Sequence, residues 1–200
     1  MPASLSTPRL RLTAWLLAAT LALVAVSERG LCDGLAGELM QLAGLASIAC
    51  AALGRIWTSA FIAGFKDTSL VQEGPYSAMR HPLYALSLLA MLGVGLATRS
   101  VAITLTLVAA FVAIYLRSAR REDAFQAQAH GKAHADYGHR LRAFWPDPGA
   151  YRVPESIEVR PRVFWKAFLD AGSLLGYYIL VRLVDVLQVS GISPTWLSLP

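Results

Sequence analysis

Four long uncharged stretches divide this chain, and they set the first expectation about its fold. They cover residues 12–27, 39–54, 83–98 and 100–116, and each contains 16 or 17 residues. A helix needs roughly 17 to 25 apolar residues to cross a bilayer, so these stretches lie at the short end of the range. Basic side chains at their ends can extend a span by reaching toward the headgroups. We therefore expect four transmembrane helices, the first two within residues 12–57.

The third and fourth stretches are separated only by Arg99. So short a separation predicts a tight antiparallel helical hairpin over residues 83–116, with residues 98–100 at its tip. The uncharged part of the chain then gives way to a segment rich in arginine, which we expect to form a cytosolic juxtamembrane helix.

A fifth apolar stretch lies within residues 163–185 and carries Lys166 and Asp170 near its start. It is either an additional carboxy-terminal span or a helix that lies in the membrane interface. The predicted fold is therefore all-α: a polytopic membrane helical bundle that forms a single domain over residues 1–200, with four transmembrane helices and a fifth at the carboxyl end.

The composition supports a membrane location. The chain is 56% hydrophobic and 16% charged, whereas a soluble domain carries about 25% charged residues. This excludes an ordinary soluble domain. The small size and the lack of eukaryotic retention signals allow a bacterial source, for which we expect an inner-membrane location.

The distribution of positive charge predicts the orientation in the membrane. If the amino terminus is cytoplasmic and all five segments span, 15 of the 18 Lys and Arg residues face the cytoplasm, and three (Arg29, Arg99 and Arg182) do not. The positive-inside rule favours this arrangement. Basic residues beside a membrane usually contact anionic headgroups, so we expect membrane lipids, and not nucleic acid, as partners. No obligate protein partner is evident.

A polar junction at residues 73–84 precedes the third stretch and carries the first candidate chemistry. Pro82 suits the first turn of a helix, which leaves Arg80 and His81 just outside the span and Tyr84 inside it. Arginine can bind a carboxylate through two hydrogen bonds, and histidine can change protonation near neutral pH. Taken singly, each of these residues is more simply a topological arginine or an interfacial aromatic residue, whereas the full string over residues 73–84 favours a site.

The junction also has a family resemblance. Gly74-Pro75-Tyr76 and Arg80-His81-Pro82-x-Tyr84 resemble the cofactor motif of integral-membrane methyltransferases, which include isoprenylcysteine carboxyl methyltransferases and are related to phospholipid N-methyltransferases. The second half of the motif follows the fourth stretch at the family's spacing: Arg117-Ser118-Ala119-Arg120-Arg121-Glu122-Asp123, Phe125, His130-Gly131, Tyr137 and Phe144-Trp145-Pro146. The resemblance covers residues 53–146.

The resemblance implies an S-adenosylmethionine-dependent methyltransferase with its catalytic region at residues 74–146. Its acceptor would be lipidic or isoprenoid, and the methylated group would be either a carboxyl group, as in isoprenylcysteine carboxyl methyltransferases, which we favour, or an amine, as in phospholipid N-methyltransferases. A polar cofactor would enter from the cytosol, and the acceptor would enter laterally between spans. The implied cofactor-binding residues are Tyr76, Arg80, His81, Pro82, Tyr84 and Glu122. The implied catalytic residues are Arg117, Arg121 and Glu122.

This sequence departs from the family pattern at four positions. Asp123 replaces a second glutamate, His130 an aromatic residue, His134 a tyrosine and Ser118 an arginine, so the functional arginine stays open among residues 117–121. Because the pair His130 and His134 lacks a well-placed third ligand, we expect no metal site.

Two other functions fit part of the same pattern. Some membrane sterol and fatty-acyl reductases resemble these enzymes around the Arg-His-Pro-x-Tyr junction and bind NADPH there. A nonenzymatic membrane scaffold would use Arg80, His81 and Glu122 for topology alone.

Overall fold

The computed structural model describes residues 3–26, 34–63 and 70–192, and this part of the chain is helical without a β-strand. Seven α-helices follow one another, with a short 3₁₀ turn at Pro148–Ala150. They are α1 (Ala3–Val26), α2 (Gly34–Ile62), α3 (Pro75–Ala78), α4 (Pro82–Ala97), α5 (Val101–His130), α6 (Lys132–Arg140) and α7 (Pro161–Val189). The all-α prediction is confirmed.

Three helices are long and apolar enough to cross a membrane: α2 and α7 with 29 residues each, and α5 with 30. By contrast, α4 has 16 residues, or about 24 Å at 1.5 Å per residue, which is less than the roughly 30 Å hydrocarbon core. The apolar part of α1, Arg11–Ala25, is also short. The predicted four spans are therefore not confirmed, whereas α7 meets the criterion. The lengths of the uncharged stretches underestimated the lengths of α2, α5 and α7, because these helices continue past charged residues.

The bundle is held together by close packing of α2 against α4. A Cβ atom added to Gly44 would lie 2.7 Å from the carbonyl oxygen of Gly93, and one added to Gly93 would lie 2.7 Å from the carbonyl oxygen of Gly44. Only glycine permits such an approach, which is typical of helix pairs in membranes. Ile48, Met91 and Phe111 lie in the buried core beside this contact.

A three-residue turn joins α4 to α5, at the tip expected from the sequence. Ser100 precedes α5, and its hydroxyl accepts a hydrogen bond from the Ile103 N–H at 3.3 Å. The helix then runs without interruption to His130 and ends at Gly131, whose φ of 48° favours glycine. The expected separate juxtamembrane helix is therefore the last part of α5, because no helix-breaking residue follows Leu116 until Gly131.

The end of the bundle farther from the junction contains a second polar group, which we call the pole cluster. Arg99 pairs with Glu38 and donates a hydrogen bond to Gln41 Oε1 at 3.0 Å. Arg182 donates to Asp185 Oδ2 at 2.8 Å. The pole cluster therefore ties α2, the α4–α5 turn and α7 together.

At the other end, residues 141–152 form a strap across the junction. The strap makes backbone hydrogen bonds with the segment that precedes α4. The N–H groups of Arg80, His81 and Gly74 donate to the carbonyl oxygens of Arg142 (3.1 Å), Ala143 (3.0 Å) and Arg152 (2.7 Å), and the Asp147 N–H donates to Ala78 (2.9 Å). These bonds fix the backbone of the Arg80-His81 pair against the rest of the molecule.

Candidate active site

A polar cleft lies where the junction, the end of α5 and α6 meet. His81 immediately precedes α4, whose first residue is Pro82, so the helix start determines where the imidazole lies. Along α5, residues three and four apart share a face, which brings several polar side chains to one side. The polar side chains of the cleft belong to Tyr76, Arg80, His81, Glu122, Asp123, Gln126, His134 and Tyr137, and its apolar wall to Ile62, Leu70 and Val71.

Asp123 is the centre of the polar cleft. Its Oδ2 accepts a hydrogen bond from Arg80 Nη1 at 3.2 Å. Its Oδ1 lies 3.1 Å from His81 Nε2 and 3.5 Å from His134 Nε2. Two side chains of the junction and one of α6 therefore converge on one carboxylate.

Asp123 lies beyond the uncharged stretch of α5, and its ionisation reflects the basic side chains around it. Burial by itself would raise the pKa of Asp123, but the hydrogen bond from His81 and the charges of His81, Arg80 and His134 outweigh burial. The pKa of the carboxyl group therefore lies below its ordinary value. Asp123 is an ionised acceptor at neutral pH.

Two tyrosines of the cleft remain protonated donors. Burial raises the pKa of Tyr76 well above its usual value, with a further contribution from the charge of Glu122. Burial also raises the pKa of Tyr137, whose hydroxyl donates to the Tyr76 carbonyl oxygen at 2.7 Å. This bond ties α6 to α3.

An apolar cavity of about 300 Å³ lies beside the polar cleft, between α4 and α5. Tyr84 lines the cavity, and its hydroxyl donates to Glu122, which lines the cleft. The His81 ring is 5.4 Å from the rings of both Tyr84 and Phe144, centroid to centroid. The other lining residues are Ala85, Leu88, Phe111, Val112, Tyr115, Leu116 and Phe144, so none of the described side chains that line this cavity is charged.

The cleft has the chemical features needed to bind a zwitterionic cofactor such as S-adenosylmethionine. Arg80 can bind a carboxylate, and Glu122 can face an ammonium or sulfonium group. Arg80 Nε and Gln126 Oε1 are buried without a hydrogen-bond partner, which is costly unless a ligand supplies one. Because the enclosed volume is only about 60 Å³, a whole cofactor would also need an open groove of about 370 Å³ that adjoins the cleft at Leu70 and Val71.

The structure brings together most of the residues that the sequence predicted. Tyr76, Arg80, His81 and Glu122 line the polar cleft, and Tyr84 reaches Glu122 from the apolar cavity. Pro82 is buried in the first turn of α4 and does not line the cleft.

Arg117 and Arg121 have a different position from the one expected of catalytic residues. Both side chains are exposed and neither lines the cleft or the cavity. At 100° per residue, they lie on the face of α5 opposite Ala119 and Asp123. Of the three residues predicted to be catalytic, only Glu122 lies in the cleft.

Asp123, Gln126, His134 and Tyr137 also line the cleft, although none of them is among the cofactor-binding or catalytic residues predicted from the sequence. Helical spacing was the available signal for Asp123 and Gln126, because both lie on the same face of α5 as the buried residue Ala119. His134 could not be assigned by helical spacing from α5, because Gly131 ends that helix and α6 sets a new direction.

The chain belongs to the phospholipid methyltransferase family of integral-membrane methyltransferases, whose sequence model matches residues 39–133. This confirms the family resemblance. The chain is 36% identical over 154 residues to the cobalt-zinc-cadmium resistance protein CzcN of Cupriavidus metallidurans, covering 77% of this chain and 71% of CzcN. It is 32% identical over 157 residues to the nickel-cobalt-cadmium resistance protein NccN of Alcaligenes xylosoxydans xylosoxydans, covering 78% and 73%. No solved structure matches the chain significantly.

Proposed function

We propose that the protein transfers a methyl group from S-adenosylmethionine, bound in the polar cleft, to a lipidic or isoprenoid acceptor in the apolar cavity. The observation that carries this proposal is the hydrogen bond from Tyr84 to Glu122, because it joins the apolar cavity to the polar cleft. A polar donor and an apolar acceptor can meet at this boundary. Enzymes of the family generally use S-adenosylmethionine.

Different residues of the cleft would bind different groups of the cofactor. Arg80 would bind the carboxylate of the methionine part, and Glu122 and Gln126 would accept hydrogen bonds from its ammonium group. The cofactor supplies an electrophilic methyl group on a positively charged sulfur. Asp123, which is hydrogen-bonded to Arg80 and His81 and lies 3.5 Å from His134, positions Arg80 and His81 and is not available as a base.

The acceptor group we favour is a carboxylate. A carboxylate is already nucleophilic, so the protein needs only to align the reactants and exclude water, and proximity can supply several kcal/mol. The apolar cavity would exclude water, with the Tyr84 ring at its polar end. Arg117 directly follows Leu116, a lining residue of the cavity, and we assign it and Arg121 to the attraction of an acidic acceptor at the surface.

An amine acceptor is the second candidate, and one observation favours it. Among the residues that the structure describes, none that lines the apolar cavity is cationic, so these residues offer no partner for a carboxylate, whereas Glu122 at the end of the cavity could take a proton from an amine. Such an acceptor would be a phospholipid headgroup or a small amine.

We also propose a cytoplasmic site in a bacterial inner membrane. The described parts of the cleft, the strap and the exposed face of α5 lie at the end of the bundle rich in arginine. By the positive-inside rule, this favours a cytoplasmic location for that end, where soluble cofactors are available. The two bacterial relatives agree with such a source.

The first test is calorimetric titration of the detergent-purified protein with S-adenosylhomocysteine and, separately, NADPH. We expect S-adenosylhomocysteine to bind in the micromolar range, and His81→Ala and Glu122→Ala to lose binding. His139→Ala is the matched control, because this histidine is exposed on α6. NADPH binding would favour a reductase, and a folded protein that binds neither compound would favour a scaffold.

The acceptor group is tested with methyl-labelled S-adenosylmethionine and a bacterial lipid extract. Mild base releases methanol from a methyl ester but leaves a methylated amine intact. Base-labile label therefore supports the carboxylate acceptor, and base-stable label in an amine lipid supports the second candidate.

A further inference from the structure

A further cavity, of about 150 Å³, contains two arginines, and we call it the arginine pocket. Arg140 and Arg152 line it, and the remaining lining residues are Gln72, Ser77, Tyr137, Leu141 and Ala150. Among the residues that the structure describes, none that lines this pocket is acidic. The arginine pocket shares only Tyr137 with the described lining of the polar cleft and no described residue with the apolar cavity. Neither the cofactor nor the acceptor of the proposed reaction accounts for it.

The backbone at this end of the molecule fixes the positions of both arginines. Arg140 is the last residue of α6, and its guanidinium donates a hydrogen bond to Gln72 Oε1. Arg152 is the last residue of the strap. Its N–H donates to Ser77 Oγ at 2.8 Å, and its carbonyl oxygen accepts a hydrogen bond from the Gly74 N–H at 2.7 Å. The pocket is therefore built by three segments: α6, the strap and the segment that precedes α4.

The charge of the arginine pocket is suited to an anion. Arg140 bonds to the neutral amide of Gln72, and within the described part of the chain no carboxylate forms an ion pair with Arg140 or Arg152. Two cations that line one pocket repel each other, and an anion between them relieves the repulsion. Guanidinium groups bind phosphate through paired hydrogen bonds. A single water molecule needs only about 10–15 Å³, so a volume of about 150 Å³ is sufficient for a phosphate group.

The neighbourhood of the arginine pocket has the character of a membrane interface. Tyr151, the residue before Arg152, accepts a hydrogen bond through its hydroxyl oxygen from Trp57 Nε1 at 2.9 Å. Trp57 lies near the carboxyl end of α2, one of the helices long enough to cross a membrane. Both aromatic residues are exposed, Trp57 to 47% and Tyr151 to 42%. Exposed tryptophan and tyrosine at the end of a span are typical of the headgroup level, where anionic lipids attract basic side chains.

We propose that the arginine pocket is a binding site for a phosphate group, held by the guanidinium groups of Arg140 and Arg152 with the Gln72 amide as a further donor. The phosphate of an anionic membrane lipid and free inorganic phosphate offer the same chemistry to these donors. The position beside Trp57 and Tyr151 favours the lipid. This proposal goes beyond the proposed function and does not depend on it.

The test measures the binding of two phosphate compounds to the full chain, purified in a neutral detergent. Native mass spectrometry gives the dissociation constant of dioleoylphosphatidylglycerol, and titration calorimetry gives that of inorganic phosphate. In the double variant Arg140→Gln/Arg152→Gln, whichever compound binds the wild type should bind at least about tenfold more weakly, because hydrogen bonds to charged groups are lost.

The matched control is the double variant Arg120→Gln/Arg142→Gln. It removes the same net charge at exposed positions that do not line the arginine pocket. Its dissociation constants should stay within about twofold of the wild type, since exposed charges at a distance are screened by salt. Comparing the two double variants separates a defined site from a general attraction of anions to a basic surface.

The two compounds also identify the source of the phosphate. Lipid binding that depends on Arg140 and Arg152 supports a headgroup site, and binding of inorganic phosphate alone with the same dependence supports a site for soluble phosphate. The proposal is overturned if the folded wild type binds neither compound, or if the pocket variant and the control lose affinity equally.

If the glutamine variant does not fold, Arg140→Lys/Arg152→Lys replaces it. Lysine keeps the charge but cannot form the paired hydrogen bonds of a guanidinium, so binding should weaken at least about threefold, and an unchanged dissociation constant would contradict the proposal. None of these measurements uses S-adenosylmethionine or its product, so a negative result leaves the proposed function standing.

Discussion

The molecule contains two polar clusters at opposite ends of α4, and they use the same kinds of side chain for different purposes. The pole cluster contains Arg99 and Arg182 with the carboxylates of Glu38 and Asp185, so its positive and negative charges are equal in number. In the polar cleft, Glu122, Asp123 and Arg80 line a pocket, and Arg80 Nε and Gln126 Oε1 lack a hydrogen-bond partner; Arg99 Nε of the pole cluster lacks one too.

This difference distinguishes a structural cluster from a binding site. The pole cluster pairs its charges across α2, the α4–α5 turn and α7, which a chain does to hold helices in place. Both clusters contain a buried arginine Nε without a partner, but in the cleft Arg80 and Gln126 line a pocket in which a ligand can supply the missing partners. Changes in the pole cluster should therefore affect stability, and changes in the cleft should affect binding.

The largest expected effect is on stability, from Arg99→Met in the pole cluster. The Arg99 side chain is 9% exposed and faces Glu38 and Asp185. Removing one partner of a buried ion pair costs about 3–5 kcal/mol, and we expect about 3 because Glu38 is largely exposed. Thermal unfolding in detergent should show the loss, with the affinity for S-adenosylhomocysteine unchanged below the unfolding temperature.

The control for this variant is Arg120→Met, because Arg120 is exposed on α5. It should change stability by less than about 0.5 kcal/mol. If Arg99→Met kept its unfolding temperature but lost cofactor binding, the two clusters could not be separated in the way we describe.

The second effect is on binding, from Asp123→Asn in the cleft. The amide keeps the shape of the carboxylate but loses the charge that holds Arg80 and His81. Hydrogen bonds to charged groups are worth about 1.5–3 kcal/mol, so affinity for S-adenosylhomocysteine should fall roughly ten- to hundredfold. Titration calorimetry measures the loss, and Asp136→Asn, at an exposed position of α6, should keep the wild-type affinity.

The smallest effect concerns acid stability and also depends on Asp123. Its pKa is lower in the folded protein than the ordinary value of 3.8. Its contribution to stability is therefore fully present above that ordinary value and is lost as the pH falls through the lower, folded pKa. When unfolding is measured at decreasing pH below about 4, the free energy of unfolding should fall more steeply with pH in the wild type than in Asp123→Asn. If the two proteins lost stability equally steeply with pH, the ionised form of Asp123 would be no more stabilised in the folded chain than in the unfolded one.

Much of the fold was predictable, because hydrophobic length and proline placement act locally. The all-α class, the turn at residues 98–100 and the start of α4 at Pro82 follow from short stretches of sequence. The number of transmembrane helices could not be predicted from the uncharged stretches. The α7 helix begins at Pro161 and continues through Lys166 and Asp170, because charged side chains near a helix end do not interrupt its backbone hydrogen bonds.

The site was predictable where its residues form contiguous motifs and less so elsewhere. Tyr76, Arg80, His81 and Glu122 were identified by the family resemblance and meet in the cleft. Arg117 and Arg121 belong to the same motif, but their helical angle directs them to the exposed face of α5. A one-dimensional motif contains no information on which side of the helix faces a partner that comes from another element.

The sequence by itself determined that the chain is an apolar helical protein with a methyltransferase-like junction. Apolar run length, charge and motif spacing are properties of neighbouring residues. Only the tertiary structure decided that Arg80, His81 and His134 contact the Asp123 carboxylate. It also decided that Tyr84 joins the apolar cavity to the polar cleft through its hydrogen bond to Glu122. These contacts join residues 11 to 43 positions apart, and their geometry depends on the packing of α4 against α5 and on the turn at Gly131, which no local pattern specifies.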